Sequence, residues 1–169
     1  LLASLCLAFA DVSRKPNVIL IMVDDLGYHD LSSYGHPKIK TPAIDKLAKT
    51  GVRLTNFHAG ASVCTPSRMA LLTGAYPVRL GWEKGVVGYL MNQGEGLSPD
   101  ALTIAEVYRY SGYKTAISGK WHLGNNPGPD KRGFDWCSTN VGGPNKHFDT
   151  MIIRNRKRIN TVGFREDAF

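Results

Sequence analysis

Cys64 and Arg68 stand four residues apart in the segment Cys-Thr-Pro-Ser-Arg. Pro66 predicts that a helix begins here, because proline is favoured in the first turn of a helix. Cys64 would then lie at the helix N-terminus, where the dipole attracts anions, and Arg68 would lie on the same face one turn later. A nucleophile beside a guanidinium suits a tetrahedral oxyanion substrate. The alternative is a small buried cysteine with an arginine on the surface.

Two adjacent carboxylates, Asp24 and Asp25, directly follow the apolar run 18–23. Such a run is typical of a strand that is buried on both faces of a parallel sheet. Ligand sites of open α/β sheets lie at the carboxyl ends of the strands, and paired carboxylates there repel each other unless a cation neutralises them. Oxygen ligands suit Ca²⁺ or Mg²⁺. A solvent-exposed turn, with Asp25 capping the next segment, explains the pair equally well.

Lys120 and His122 belong to the segment 119–124, which reads Gly-Lys-Trp-His-Leu-Gly and follows a short predicted strand at 115–118. Their i, i+2 spacing lets both side chains point the same way at the end of a strand. Such a pair can bind an anion and handle a proton. Taken alone, the pair would more often belong to a surface loop.

The elements that must position these residues alternate along the chain. Thr41 and Pro42 are typical of a helix N-terminus, and Gly51 is typical of its end. Residues 81–96 are rich in glycine and predict a long loop, and the sequence becomes loop-like again from Asn125. This alternation predicts an α/β fold with a mainly parallel or mixed central sheet flanked by helices. The other predicted helices cover 65–72 and 102–111, and the predicted strands cover 18–23, 52–58 and 115–118.

The composition is that of a globular protein with a basic surface. Among 169 residues, 43% are hydrophobic and 21% are charged, which excludes a disordered chain. Lys and Arg number 21 against 14 acidic residues, and the resulting charge of +7 attracts polyanions. On charge alone, sulfated polymers and nucleic acid are both possible partners. A non-catalytic protein that binds polyanions is then a second class of function, beside an enzyme. The basic run 154–158 predicts either a solvated strand or loop, or a surface that recognises a polyanionic substrate.

The N-terminal segment 1–10 is mostly apolar and ends in Ala-Phe-Ala. It is too short to span a bilayer, and its small-x-small ending is typical of the C-terminal part of a secretory signal peptide. The alternative is a buried N-terminal strand. No other segment reaches membrane-spanning length, so we expect an exported protein without a membrane span. Cys6 would leave with the signal peptide, and the remaining Cys64 and Cys137 are no disulfide framework.

Two segments of the chain together resemble the signatures of type I sulfatases. Residues 64–68, followed by an apolar helix and Thr-Gly, match the pattern Cys-x-Pro-Ser-Arg, and residues 119–124 match the second signature. The carboxylates at 24–25 and the segment 41–45 resemble the opening of the same family in the right order. The resemblance covers about residues 15–135. Within the family, the chain resembles the group of arylsulfatase A and N-acetylgalactosamine-6-sulfatase.

This resemblance implies an alkaline-phosphatase-like fold and the hydrolysis of sulfate esters of aryl or carbohydrate substrates. In that family a maturation enzyme oxidises the cysteine, here Cys64, to Cα-formylglycine. One hydroxyl of the hydrated aldehyde attacks sulfur and expels the alcohol, and the other helps to eliminate sulfate. The resemblance also implies the remaining roles: Asp24, Asp25 and the modified Cys64 would bind Ca²⁺, Arg68 would hold the diol, Lys120 would bind sulfate oxygens, and His122 would hydrogen-bond the diol and handle a proton.

One part of the family pattern is absent from the sequence. The family completes its metal site with a later Asp-Asn pair and its pocket with a further His and Lys, and no Asp-Asn pair follows Cys64. We therefore expect residues 15–169 to be the N-terminal portion of a sulfatase catalytic domain, inactive alone. The substrate would be a sulfated small molecule or polysaccharide, with no nucleic acid partner. A phosphate or phosphonate monoester hydrolase of the same superfamily is the alternative enzyme, because these esters share their shape.

Overall fold

The computed structural model describes residues 15–87, 95–124, 127–140 and 148–163. The predicted signal-peptide segment 1–10 and part of the predicted loop 81–96 lie outside these residues. The chain forms two compact units, Leu1–Arg53 and Leu54–Phe169. No helix in the described ranges combines the length and the apolar character that crossing a membrane requires.

The described part of the first unit, from residue 15 onward, contains one α-helix and two short 3₁₀ helices. Helix α1 (Pro42–Thr50) follows Thr41 and has proline at its first position. It ends at Gly51, whose N–H donates to the Leu47 carbonyl oxygen at 2.8 Å. The helix predicted at this place is therefore confirmed. The 3₁₀ helices are Tyr28–Asp30 and Ser32–Tyr34.

Asp45 in the first turn of α1 ties the helix to the preceding segment. Its carboxylate accepts hydrogen bonds from Ser32 Oγ at 2.5 Å and from Thr41 Oγ1 at 3.0 Å. The bond from Ser32 is the main cause that holds the pKa of Asp45 below its usual value, and the bond from Thr41 adds to it. Because α1 has no buried residue, local polar contacts determine where this helix begins.

The apolar runs 18–23 and 52–58 are predicted strands that the structure does not contain. Their side chains are exposed: Ile19 is 84% and Val52 is 86% accessible to solvent. A buried strand needs a neighbour for its backbone N–H and C=O groups and a cover for its side chains. Among the described residues, no strand pairs with either run. The prediction of these two strands, including the one before Asp24, is therefore wrong.

In the second unit, the residues that the structure describes form two α-helices and a four-stranded sheet. Helices α2 (Cys64–Thr73) and α3 (Ile104–Tyr110) confirm the helices predicted near these positions. In the sheet, the first two strands are parallel and the other two pairings are antiparallel. The predicted α/β fold with a mixed sheet is confirmed, although only one pair of the strands in the described ranges is parallel. The strands lie side by side in the order β1 (Ala116–Gly119), β2 (Trp136–Asn140), β3 (Met151–Arg154) and β4 (Lys157–Asn160).

Strands β2, β3 and β4 lie in the region after Asn125 that the sequence predicts to be loop-like, although a solvated strand is one prediction for the run 154–158. Frequent Gly, Pro and Asn residues obscure such short strands. β3 and β4 form a hairpin whose turn residues, Asn155 and Arg156, have positive φ angles of 45° and 70°. Positive φ at both positions is what a two-residue turn between twisted strands requires. The Asn155 side chain accepts a hydrogen bond from the Cys137 N–H at 2.9 Å, which ties the turn to β2. The basic run 154–158 is this turn with its flanks, and most of its side chains are exposed.

A buried arginine, Arg132, connects α3 to the loop before it. Arg132 is 2% exposed, and its guanidinium donates to the carbonyl oxygens of Pro99, at 2.7 Å, and Ala101. Its own carbonyl oxygen accepts from Thr103 Oγ1 at 2.9 Å. Thr103 caps α3 and forms a capping box with Glu106. The Glu106 carboxylate lies 3.8 Å from the Arg132 guanidinium. This carboxylate and the carbonyl oxygens compensate for the loss of hydration that the buried guanidinium suffers.

Candidate active site

Helix α2 begins at Cys64, and the preceding Val63 is extended and provides no side-chain cap. Pro66 lies in the first turn, as the sequence predicts, because it lacks the N–H that would need a partner there. Thr65 is 0% and Ser67 is 7% exposed, whereas Cys64 is partly exposed and carries a free thiol. The helix therefore presents a reactive side chain at an end whose neighbouring residues are held in the interior.

The core of the second unit supports both motifs at once. Met69 of α2 is 1% exposed and packs in one hydrophobic cluster with Trp121 and Leu123, which belong to the segment 119–124. Because interiors are closely packed, this shared core fixes the position of α2 relative to the segment 119–124. The cluster also contains Trp82 and Leu97.

Lys120 and His122 follow β1 directly, but the strand does not continue through them. Gly119 has a φ angle of 100° and His122 has one of 53°, and both values interrupt extended geometry. The strand periodicity behind the predicted common orientation of Lys120 and His122 therefore does not apply. Burial nevertheless alternates, since Trp121 and Leu123 are buried and the two polar residues are partly exposed. Both polar residues thus keep access to the surface.

Two hydrogen bonds join α2 to the residues after β1. Thr65 Oγ1 donates to the His122 carbonyl oxygen at 2.9 Å, across 57 residues of sequence. Arg68 Nη1 donates to the Lys120 carbonyl oxygen at 2.5 Å, across 52 residues. The helical spacing predicts that Arg68 reaches back toward Cys64, and the structure connects its guanidinium to the backbone of the other motif. Two of the predicted motifs are therefore brought together in one unit.

The ring of His122 is held by Val87, a residue that sequence reasoning misses. Nε2 lies 2.8 Å from the Val87 carbonyl oxygen, and because a carbonyl only accepts, Nε2 carries the proton. The Val87 N–H in turn donates to Thr65 Oγ1 at 2.9 Å. Val87 contributes backbone groups to both contacts, so no side-chain signal marks it in the sequence. Thr65 is marked only by its place beside Cys64.

Two glycines let the chain pass close behind the segment 119–124. The Leu97 N–H donates to the Leu123 carbonyl oxygen at 2.9 Å. A Cβ atom at Gly96 would clash with that same oxygen, and a Cβ atom at Gly124 would lie 2.5 Å from the carbonyl oxygen of Glu95. The glycine that ends the second motif is therefore required by close backbone packing.

Asp24 and Asp25 lie in an exposed turn of the first unit. Asp25 has a φ angle of 55°, in the left-handed region that Asp adopts more readily than most residues. The N-cap of the following 3₁₀ helix is Gly27 and not Asp25, and the Asp30 carboxylate accepts the Gly27 N–H at 2.5 Å. The exposed turn that the sequence left as an alternative is thus present, without the capping role.

The donor atoms of Asp24 and Asp25 fit a hard cation, because carboxylate oxygens are the ligands that Ca²⁺ prefers. The described residues contain no group of three or more His, Cys, Asp or Glu side chains that could hold a metal ion. Ca²⁺ takes about six to eight oxygen ligands, so the pair provides only part of a coordination sphere.

Comparison with known sequences identifies relatives that match most of the chain. The profile of the Sulfatase family matches residues 16–154. Human arylsulfatase A is 50% identical over 127 residues, which cover 73% of this chain and 25% of the human protein. The chain therefore spans about a quarter of the length of this relative.

Solved structures extend the comparison to the fold. The crystal structure of Ps i-CgsB in complex with k-i-k-neocarrahexaose has a TM-score of 0.85 at 32% identity, over 92% of this chain and 39% of that one. A protein in complex with its substrate D-glucosamine-2-N,6-O-disulfate has a TM-score of 0.76 at 30% identity, over 92% of this chain and 29% of that one. The mixed sheet and its helices correspond to part of the alkaline-phosphatase-like fold. Sequence, motif order and fold agree, and the chain belongs to the sulfatase family.

Proposed function

We propose that the protein containing these residues hydrolyses sulfate esters and that its nucleophile is made from Cys64. The observation that carries this proposal is the pair of hydrogen bonds from Thr65 to His122 and from Arg68 to Lys120. These bonds link a helix N-terminus that bears a nucleophile to a segment that bears a lysine and a histidine. Together such groups can bind a tetrahedral anion, attack it and move a proton.

Cys64 is proposed to be converted to Cα-formylglycine by a maturation enzyme. When formed, this group supplies a hydrated aldehyde whose hydroxyl displaces the alcohol from sulfur. Two features support the assignment to Cys64. Its side chain is partly exposed, and the neighbouring Ser67 hydroxyl donates to the Ala61 carbonyl oxygen and so fixes the chain on either side.

Around the nucleophile, we propose roles in anion binding and proton transfer for three side chains, those of Arg68, Lys120 and His122. The Lys120 ammonium would bind the sulfate oxygens through a charge-assisted hydrogen bond. Arg68 has several N–H donors, so it can hold the Lys120 backbone and the nucleophile at once. His122 would hydrogen-bond the nucleophile and exchange a proton with it.

Asp24 and Asp25 are proposed to bind Ca²⁺ together with the modified Cys64. A cation in this position supplies positive charge where negative charge develops during the reaction. Both carboxylates are exposed in their turn, so an added ion can reach them. Their oxygens are too few for the whole sphere, so other residues or water must provide the rest.

The substrate is proposed to be a sulfated carbohydrate or an aryl sulfate. Two proteins of similar structure were solved with k-i-k-neocarrahexaose and with D-glucosamine-2-N,6-O-disulfate, and arylsulfatase A is a relative in sequence. The net charge of +7 favours an anionic substrate, and the sulfatase relatives do not favour nucleic acid as the partner. We also propose that the protein is exported, because the apolar segment 1–10 ends in Ala-Phe-Ala, which is typical of a secretory signal peptide.

The test uses the full-length protein, produced with and without a formylglycine-generating enzyme. Peptide mass spectrometry measures the conversion of Cys64, and hydrolysis is followed on an aryl sulfate and on the matching aryl phosphate. We expect the aldehyde only after co-production, sulfate hydrolysis in proportion to the aldehyde content, and a preference for the sulfate ester.

Three results would contradict this proposal in different ways. Full activity with an unmodified Cys64 thiol excludes the proposed nucleophile. A preference for the aryl phosphate favours a phosphate monoester hydrolase instead. Binding of a sulfated polymer without turnover, in protein that carries the aldehyde, favours the non-catalytic polyanion-binding protein.

A further inference from the structure

Three hydrogen bonds close a ring among Thr65, Val87 and His122. The Val87 N–H donates to Thr65 Oγ1 at 2.9 Å, and Thr65 Oγ1 donates its proton to the His122 carbonyl oxygen at 2.9 Å. His122 Nε2 then donates to the Val87 carbonyl oxygen at 2.8 Å. Thr65 uses both the donor and the acceptor of its hydroxyl, and it is 0% exposed, so solvent cannot replace either bond.

The backbone of His122 gives an independent reason why this residue needs support. Its φ angle of 53° lies in the left-handed region, which is uncommon for residues other than glycine. Such a conformation persists only where surrounding contacts over-determine it, and it is frequent at functional sites. Thr65 holds the carbonyl group of His122, and Val87 holds its ring, so backbone and side chain are fixed together.

We propose that Thr65 is a positioning residue that, through Val87, holds His122 in one orientation with its ring proton on Nε2. This inference rests on the proposed sulfatase function. The lone pair of the neutral ring then lies on Nδ1. When an O–H group gives its proton to Nδ1, that group would become an oxyanion and the ring would become imidazolium, while Nε2–H stays bonded to the Val87 carbonyl oxygen.

The test compares three variants of the full-length, matured protein: Thr65→Val, Thr65→Ala and Thr65→Ser. Valine keeps the shape of threonine but can neither donate nor accept, whereas serine keeps the hydroxyl and loses only a methyl group. Because Thr65 adjoins Cys64, the formylglycine content of each variant is measured by peptide mass spectrometry and every rate is divided by it. Alanine replaces valine if the latter prevents folding.

We expect Thr65→Val and Thr65→Ala to lower kcat on an aryl sulfate by about 10- to 100-fold, with KM within about threefold of wild type. Thr65→Ser should keep kcat within about threefold. The pH dependence of kcat should also shift in the valine variant, because its histidine is free to change tautomer and orientation. A role in packing alone would alter stability without moving the pH profile.

A crystal structure of the valine or alanine variant gives a readout that does not depend on activity. We expect His122 to leave the left-handed region or its Nε2 to leave hydrogen-bond distance of the Val87 carbonyl oxygen. An unchanged His122 together with an unchanged pH profile overturns the proposal. Failure of the proposed function looks different: wild-type protein that is fully converted to formylglycine would hydrolyse no sulfate ester, and the geometry of His122 in the variants would still decide the role of Thr65.

Discussion

The apolar run 18–23 and strand β1 both lead into residues of the proposed site, yet only the second is a strand. β1 pairs with β2 at each of its positions, whereas the side chains of 18–23 are mostly exposed, with Ile19 at 84%. A run of apolar residues therefore becomes a strand only where another backbone takes up its N–H and C=O groups. The difference lies in the partner and not in the hydrophobicity of the run.

The polar residues that follow these two segments differ in the same way. The backbone of Lys120 and His122 accepts hydrogen bonds from side chains of α2, and the residues between and after them are buried. Asp24 and Asp25 instead occupy an exposed turn. We therefore expect the region around α2 and β1 to keep its geometry through its own contacts, and the Asp24–Asp25 turn to depend on a bound cation.

The largest effect is expected at Cys64, in the region around α2 and β1, whose geometry is fixed by its own contacts. In full-length, matured protein, Cys64→Ala removes the proposed nucleophile, so kcat on an aryl sulfate should fall by at least about 10⁴-fold. The midpoint of thermal unfolding should change little, because Cys64 is partly exposed and its buried neighbours remain. The matched control is Cys137→Ala, which removes a thiol buried in β2 and should leave kcat within about threefold. Equal losses in both variants would contradict a special role for Cys64.

The next largest effects concern Lys120 and His122, whose backbone accepts hydrogen bonds from side chains of α2. Lys120→Ala should raise KM and lower kcat, because its ammonium is proposed to bind sulfate oxygens before and during the reaction. His122→Ala should act chiefly on kcat, by about 10²- to 10⁴-fold, because proton transfer belongs to the chemical step. Steady-state kinetics on an aryl sulfate separate the two parameters. If His122→Ala kept kcat within about threefold of wild type, a general acid–base role of that size would be excluded.

Removal of the metal tests the exposed region. Excess chelator should abolish the activity of the full-length protein, and Asp24→Asn or Asp25→Asn should weaken Ca²⁺ binding by at least about 100-fold, since each removes a charged ligand. Calorimetric Ca²⁺ titration of the variants measures this affinity. Asp30→Asn is the matched control, because the Asp30 carboxylate accepts the Gly27 N–H and is no proposed ligand. Full activity in excess chelator refutes the calcium assignment.

The smallest effect concerns Cys137, which is buried in β2, in contrast to the exposed side chains of the Asp24–Asp25 turn. Burial, with a smaller contribution from Asp130, raises the pKa of the Cys137 thiol from 9.0 to about 11. The folded state then holds this proton more tightly than the unfolded state, so the stabilisation is complete below pH 9 and is lost as the pH rises from 9 to about 11. Between pH 8 and pH 10.5, the midpoint of thermal unfolding should decrease more for wild type than for Cys137→Ala. The two decreases should differ by about 10 °C or less.

A second measurement on Cys137 checks the same burial without heating. Alkylation by iodoacetamide at pH 8 should be slow in the folded protein and fast after denaturation, because only the thiolate reacts. Rapid alkylation of folded protein, or equal pH dependence of the two unfolding midpoints, would show that the thiol is not held in the interior.

Helices were the most predictable part of this fold, because their signals act within a few residues. Pro66 places the start of α2, and Thr41, Pro42 and Gly51 place both ends of α1. The hairpin of β3 and β4 was not predictable in this way. Its short strands lie in a region rich in turn residues. The hairpin joins the sheet because β3 pairs with β2 and the Asn155 side chain accepts the N–H of Cys137 in β2.

The residue types of the proposed site and their order along the chain were determined by the sequence alone. A cysteine four residues before an arginine, a lysine two residues before a histidine and a pair of carboxylates define the chemistry that is possible, whatever surrounds them. The tertiary structure alone decided how these groups are held. Each hydrogen bond of the ring among Thr65, Val87 and His122 joins a side chain to a backbone group that every residue possesses, between positions that are far apart in sequence. Contacts of that kind leave no pattern of side chains, because only the folded backbone brings their donors and acceptors within reach.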